Sequence, residues 1–161
     1  METPRFAVVL SGCGVFDGSE IHEAVCALLA IDEAGCAYQC FAPNTWQAKT
    51  VDHFTGEASA IAGDADNRNV LAESARIARG NILDLSEFNP KDFDAIIFPG
   101  GFGAAMNWSN FAVRGPACEV NEEVDRALNA SYEAGIVIGA MCIAPTVVAR
   151  VLGKHKVKVT G

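Results

Sequence analysis

The chain has no concentration of positive charge. It carries 12 Lys and Arg against 20 Asp and Glu, a formal net charge of -8. Without a Lys/Arg cluster to neutralise phosphates, nucleic acid and anionic membrane surfaces are excluded as partners. No Cys-x-x-Cys occurs among the six cysteines, Cys13, Cys26, Cys36, Cys40, Cys118 and Cys142. The three histidines, His22, His53 and His155, share no metal-ligand spacing with them, so no metal site is expected. No Gly-Lys-Ser/Thr is present, which removes a Walker-type phosphate site. The first apolar run ends by Leu10, too short for a signal peptide or a membrane span. Free thiols in apolar runs fit a reducing compartment, and the expected location is cytoplasmic.

What is present is a soluble, globular composition, 50% apolar and 20% charged over 161 residues, enough for one domain with a real core. Apolar, strand-like runs at Arg5–Leu10, Ala37–Ala42, Ala95–Phe98 and Ile136–Met141 alternate with helical patterns. A helix with Ser19 as N-cap is expected to run to about Ala34, with Ile21, Val25, Leu28 and Leu29 on one face and Gly35 as its stop. Further helices are expected over Val70–Ala78 and Glu119–Ala134, a short strand around Val51–Phe54 and a last strand from Val157 to Thr160. The pattern predicts an α/β, flavodoxin-like, doubly wound parallel sheet sandwich. In such a sheet the functional crevice lies beyond the carboxyl ends of the strands. Three segments fall there: Ser11–Gly18, Pro99–Asn110 and Cys142.

Cys142 lies between an apolar strand and a helical run opened by Pro145, with the small residues Ala140 and Ala144 on either side. That punctuation predicts a nucleophile elbow. The unpaired N–H groups at a helix start favour a thiolate, which makes Cys142 the candidate nucleophile. Gly12-x-Gly14-x-x-x-Gly18 follows a strand but misses the dinucleotide fingerprint by one residue, and the second strand ends without an acid to hold a ribose. No cofactor is expected. Gly100-Gly101-Phe102-Gly103 is a candidate oxyanion loop, with Gly100, Gly101 and the residue after the cysteine, Ile143, offering backbone N–H groups. No histidine stands beside Cys142, so a hydrolytic triad is poorly supplied. Glu20 and Glu23, in the first turns of helix one, are the candidate proton carriers. Cys13, Glu20 and Asn107 are candidates to support the thiol from behind.

Four segments together resemble the ElbB-type glyoxalases, isoprenoid-biosynthesis proteins with an amidotransferase-like domain, within the PfpI-type class I amidotransferase-like superfamily. They are Leu10–Glu23, Asn69–Ile77, Phe98–Ala105 and Cys142–Pro145. The resemblance spans essentially the whole chain as a single domain, 1–161. It implies an elbow cysteine, a glutamate from helix one and a homodimer. Counting back from Gly35, the superfamily glutamate falls on Glu23, with Glu20 as fallback. Ile143 stands where amidotransferases and peptidases of the superfamily carry a histidine, which sets glutamine and peptide hydrolysis aside. Family members continue beyond the position of Gly161 with a further strand and a closing helix, so the chain is expected to lack that segment. The activity implied is a cofactor-independent glyoxalase acting on glyoxal or a similar small dicarbonyl. The competing reading is a thiol-based redox sensor or protein-quality module without turnover.

Overall fold

The computed structural model describes residues 3–60 and 68–159. Five parallel strands form one sheet: β1 (Arg5–Val9), β2 (Ala37–Ala42), β5 (Ile82–Asp84), β6 (Ala95–Phe98) and β7 (Val137–Ala140), in the order β5-β2-β1-β6-β7. The helices are α1 (Ile21–Glu33), α2 (Val70–Ala78), α3 (Phe102–Met106), α4 (Phe111–Arg114), α5 (Glu122–Ala134) and α6 (Ala144–Leu152). A two-stranded antiparallel unit, β3 (Thr50–Val51) with β4 (Ala58–Ala60), stands outside the sheet.

Each central strand is covered on both faces, which is why its sequence is a continuous apolar run. Alternate residues of β1 feed separate cores. Ala7 and Val9 pack with Phe98, Trp108, Leu128 and Val151 beneath α5 and α6, whereas Val8 packs with Ala24, Leu28 and Val70 beneath α1 and α2. The strand order turns around between β1 and β6. Ligands of open α/β sheets bind at such a switch point, and the loops after β1 and β6 meet there.

The fold class and the four main strands are as expected, with local differences. Glu20, not Ser19, caps α1; the Ser19 hydroxyl instead accepts the Ser11 N–H at 2.8 Å. Of the expected apolar face of α1, only Leu28 is buried. The helix rests on Ala24, Leu28 and Ile31, leaving Ile21, Val25 and Leu29 about half exposed. Helix one carries two apolar stripes, and small Ala24 lets that stripe approach the sheet, so periodicity alone did not choose. Helix α5 starts at Glu122, three residues late, because the Asn121 side chain accepts the Glu123 and Val124 N–H groups. Strand β5 and the short helices α3 and α4 carry too few residues for a periodic signal. The expected strand over Val51–Phe54 is the two-residue β3. Val157–Val159 are irregular, and Thr160 lies outside the described residues. Among the described residues no helix is long and apolar enough to cross a membrane.

Candidate active site at the Cys142 elbow

Cys142 follows β7 by two residues and precedes the first turn of α6. Its φ is 54°, in the left-handed region that few non-glycine residues occupy. This conformation is that of a nucleophile-elbow turn, and the Cys142 thiol is exposed. Ile143 is the N-cap of α6, with Pro145 in the first turn where its missing N–H costs nothing. No acceptor among the described residues takes the N–H groups of Cys142, Ile143 or Gly101.

Gly100 ends β6 directly beside the elbow. A Cβ built there would collide with the Cys142 Cβ and lie 2.7 Å from Glu23 Oε2. Only a residue without a side chain lets α1 and the elbow close on one point. The Gly100 N–H donates to Glu23 Oε2 at 2.7 Å, and the Glu20 N–H donates to the Gly100 carbonyl at 2.8 Å. The start of α1 is thereby clamped to the end of β6, with half-buried Glu23 next to the thiol. Gly100 thus holds Glu23, and its N–H is already committed.

The other candidates separate from this pair. Glu20 is consumed as a cap: one carboxylate oxygen accepts the Glu23 N–H at 2.7 Å and the other pairs with His22 Nδ1 at 2.9 Å. The His22 hydrogen bond, and then the Glu23 N–H, hold its carboxyl below the usual carboxylate range. Gly101 has a φ of 102° and faces loop one: a Cβ there would strike the backbone of Gly18, Ser19 and Glu20. A side chain at Gly101 would pry two loops apart instead of filling substrate space. Asn107 is buried and staples loops, its Nδ2 donating to the Ser11 and Asp17 carbonyls at 2.8 Å each and its Oδ1 accepting the Ala48 N–H at 2.9 Å. Cys13 is half-buried; its thiol is pushed up first by burial and then by the Glu73 charge, with Asp17 adding to the rise and Arg76 and Arg68 opposing it. The adjacent Gly12 N–H donates to the Ser74 hydroxyl of α2 at 2.9 Å, which ties this part of loop one to that helix. Both Cys13 and Cys142 are free thiols.

Two residues that organise loop one escaped the sequence reading. Asp17 is buried and accepts the Val51 N–H at 2.8 Å. Gln47, 2% exposed, donates to the Asp17 carbonyl at 2.9 Å. The glycine density of Ser11–Gly18 was the available signal, since glycines recur where backbones approach closely. Among the described residues no group of His, Cys, Asp and Glu could hold a metal ion.

No family model matches the chain. It is 52% identical over 148 residues to the human "Glutamine amidotransferase-like class 1 domain-containing protein 3, mitochondrial", covering 92% of this chain and 54% of that protein. It is 41% identical over 152 residues to "ES1 protein, mitochondrial" of Danio rerio, covering 92% and 55%. The chain thus spans about half the length of the curated relatives it matches. These relatives are mitochondrial, which corrects the cytoplasmic expectation. Free thiols and an acidic balance suit any reducing compartment, so composition had no power to choose between them. A two-domain protein of Anabaena variabilis with a DJ-1/ThiJ/PfpI-like domain shares the fold, with a TM-score of 0.55, 15% identity and coverage of 92% of this chain and 32% of that one. The crystal structure of an isoprenoid biosynthesis protein with amidotransferase-like domain from Ehrlichia chaffeensis superposes with a TM-score of 0.86 and 41% identity, covering 93% of this chain and 69% of that one. The chain belongs to this amidotransferase-like family.

Proposed function

We propose that the chain is a cofactor-independent glyoxalase that converts glyoxal or a similar small dicarbonyl to a hydroxy acid. The observation that carries this reading is the meeting of the Glu23 carboxylate and the exposed Cys142 at Gly100. The Cys142 sulfur attacks one aldehyde carbon, forming a C–S bond, and the carbonyl oxygen takes a proton to give a hemithioacetal. Free N–H groups of Gly101 and Ile143 are the donors for that oxygen as its charge develops. Glu23 then removes the proton from the sulfur-bearing carbon, and a proton returns to the neighbouring carbon. The outcome is a thioester of a hydroxy acid; one carbon is oxidised and its neighbour reduced, so no external redox partner is needed. Water cleaves the thioester, releasing the acid and restoring the thiol.

The exposed apolar stripe of Ile21, Val25 and Leu29 on α1 supports a homodimer, since contiguous exposed apolar surface marks interaction sites. Leu29→Asp should then shift the protein to monomer in sedimentation. The relatives' names support a mitochondrial location for this protein.

Turnover of glyoxal and methylglyoxal by wild type, Cys142→Ser and Glu23→Gln tests the activity. Hydroxy-acid production lost in both variants supports it. The exposed thiol beside a carboxylate also suits a redox sensor. Peroxide-dependent mass gain at Cys142, with no turnover of either dicarbonyl by wild type, would establish that reading instead.

A further inference from the structure

Between α4 and α6 lies a cavity of about 430 Å³, a size suited to a small molecule. Phe111, Pro116 and Ala149 give it apolar walls, with the buried Cys118 among its lining. Thr146, Arg150 and Lys154 also line it, at four-residue spacing, so that the two cations stand on the same side of α6 and its following turn.

Some cations of the molecule are neutralised where they stand. Arg114 is answered by Glu119 at 3.8 Å, and Arg126 by Glu123 at 2.8 Å. Arg150 and Lys154 have no ion-pair partner among the described residues, although acidic side chains outnumber basic ones 20 to 12. Arg150 is nonetheless anchored: its Nε donates to the Cys118 carbonyl at 2.6 Å. With Nε occupied, the end-on fork of Nη1 and Nη2 is what remains for a ligand, and that fork matches the two oxygens of a carboxylate.

We infer that this cavity binds a small amphiphilic carboxylate, its apolar body against Phe111, Pro116 and Ala149 and its head on the Arg150 fork, with Lys154 as the second charge. The site does not depend on the glyoxalase reading, because none of its groups carries that chemistry.

Calorimetric titration of the full chain tests it, with benzoate as the probe, benzamide as its neutral analogue and phenyl phosphate as the alternative anion. Benzoate should bind with a Kd of about 1 mM or lower and at least about tenfold more tightly than benzamide. Arg150→Met, with its circular dichroism unchanged, should weaken benzoate by about tenfold or more, and Lys154→Met by less. Cys142→Ser should bind as wild type does. Equal affinity for benzoate and benzamide would reduce the site to an apolar hollow and overturn the inference. Wild-type affinity in folded Arg150→Met, or no saturation by about 10 mM benzoate, would also overturn it. Tighter binding of phenyl phosphate than of benzoate would overturn the carboxylate assignment in favour of a phosphate head.

Discussion

Glu23 and Cys142 come from opposite faces of the sheet and meet at Gly100, whose missing side chain leaves room for the Cys142 Cβ and, 2.7 Å from where its own Cβ would stand, for Glu23 Oε2. One carboxylate oxygen is fixed by the Gly100 N–H at 2.7 Å. A group that moves a proton needs such fixing, because a displacement of about 1 Å is enough to cost roughly 100-fold in rate.

Gly100→Ala should therefore be more damaging to turnover than its size suggests. Its backbone does not occupy the left-handed region, so the added methyl acts by displacing Cys142 and Glu23. We expect a loss of about 100-fold or more in kcat/KM on glyoxal, against a stability cost of about 1–3 kcal/mol. Steady-state kinetics beside a thermal melt separate the two effects. Near wild-type turnover in a folded Gly100→Ala protein would mean that the pair at this point is not the reacting pair.

The two glutamates should divide by role. Glu23→Gln keeps an oxygen for the Gly100 N–H, and it should lower kcat by about 100-fold or more through loss of proton transfer. Glu20→Ala should instead cost about 1 kcal/mol of stability as a lost N-cap. The Glu20 carboxyl is held low by His22 and the Glu23 N–H. Its contribution is thus present above the carboxylate's unfolded pKa and is lost as pH falls through the lower folded value. Acid melts of wild type and Glu20→Ala should converge at low pH. Reversed effects on kcat would transfer the catalytic assignment to Glu20.

Alkylation by iodoacetamide near neutral pH should mark Cys142 first. It is exposed and stands at a helix start, whereas Cys40 and Cys118 are buried. Cys13 is held back by burial and by Glu73. Cys26 is exposed but sits within α1, without free helix N–H groups around it. Peptide mapping after one equivalent of reagent reads the order, and faster labelling of Cys26 would count against the elbow as an activating site.

Asn107→Ala should destabilise the fold by about 1–3 kcal/mol, because the buried Ser11 carbonyl loses its side-chain partner away from water and the Ala48 N–H loses its acceptor. The Asp17 carbonyl keeps Gln47. Denaturant unfolding measures the loss. A change under about 0.5 kcal/mol would show that these loops are held by other contacts.

Burial pushes the Cys40 thiol from 9.0 up to about 11. Its neutral form is favoured in the folded chain, so the stabilising contribution is full below pH 9.0 and fades as pH rises through about 11. Cys40→Val should flatten the alkaline limb of Tm against pH. An unchanged limb would place the alkaline sensitivity elsewhere.

The sequence by itself determined the sheet and its elbow. Continuous apolar runs such as Ile136–Met141 can be satisfied only when both faces are covered, and a cysteine between such a run and a Pro145-opened helix has few alternatives. It also placed loop one and the loop after β6 on the same edge. Only the tertiary structure shows the separate hydrogen-bonding duties of Glu20 and Glu23. Both carboxylates stand near the start of the same helix, and one is spent on the cap while the other reaches Gly100, across 77 positions of chain. The same holds for Gly100 and Gly101, adjacent glycines with different duties: one admits Cys142 and Glu23, the other the backbone of Gly18–Glu20. The stripe of α1 expected to face the sheet was the wrong one, because a helix apolar on two sides has no preferred face until packing selects one, here through Ala24. Local patterns record what each segment needs to bury; contacts between distant segments exist only once the chain has closed on itself.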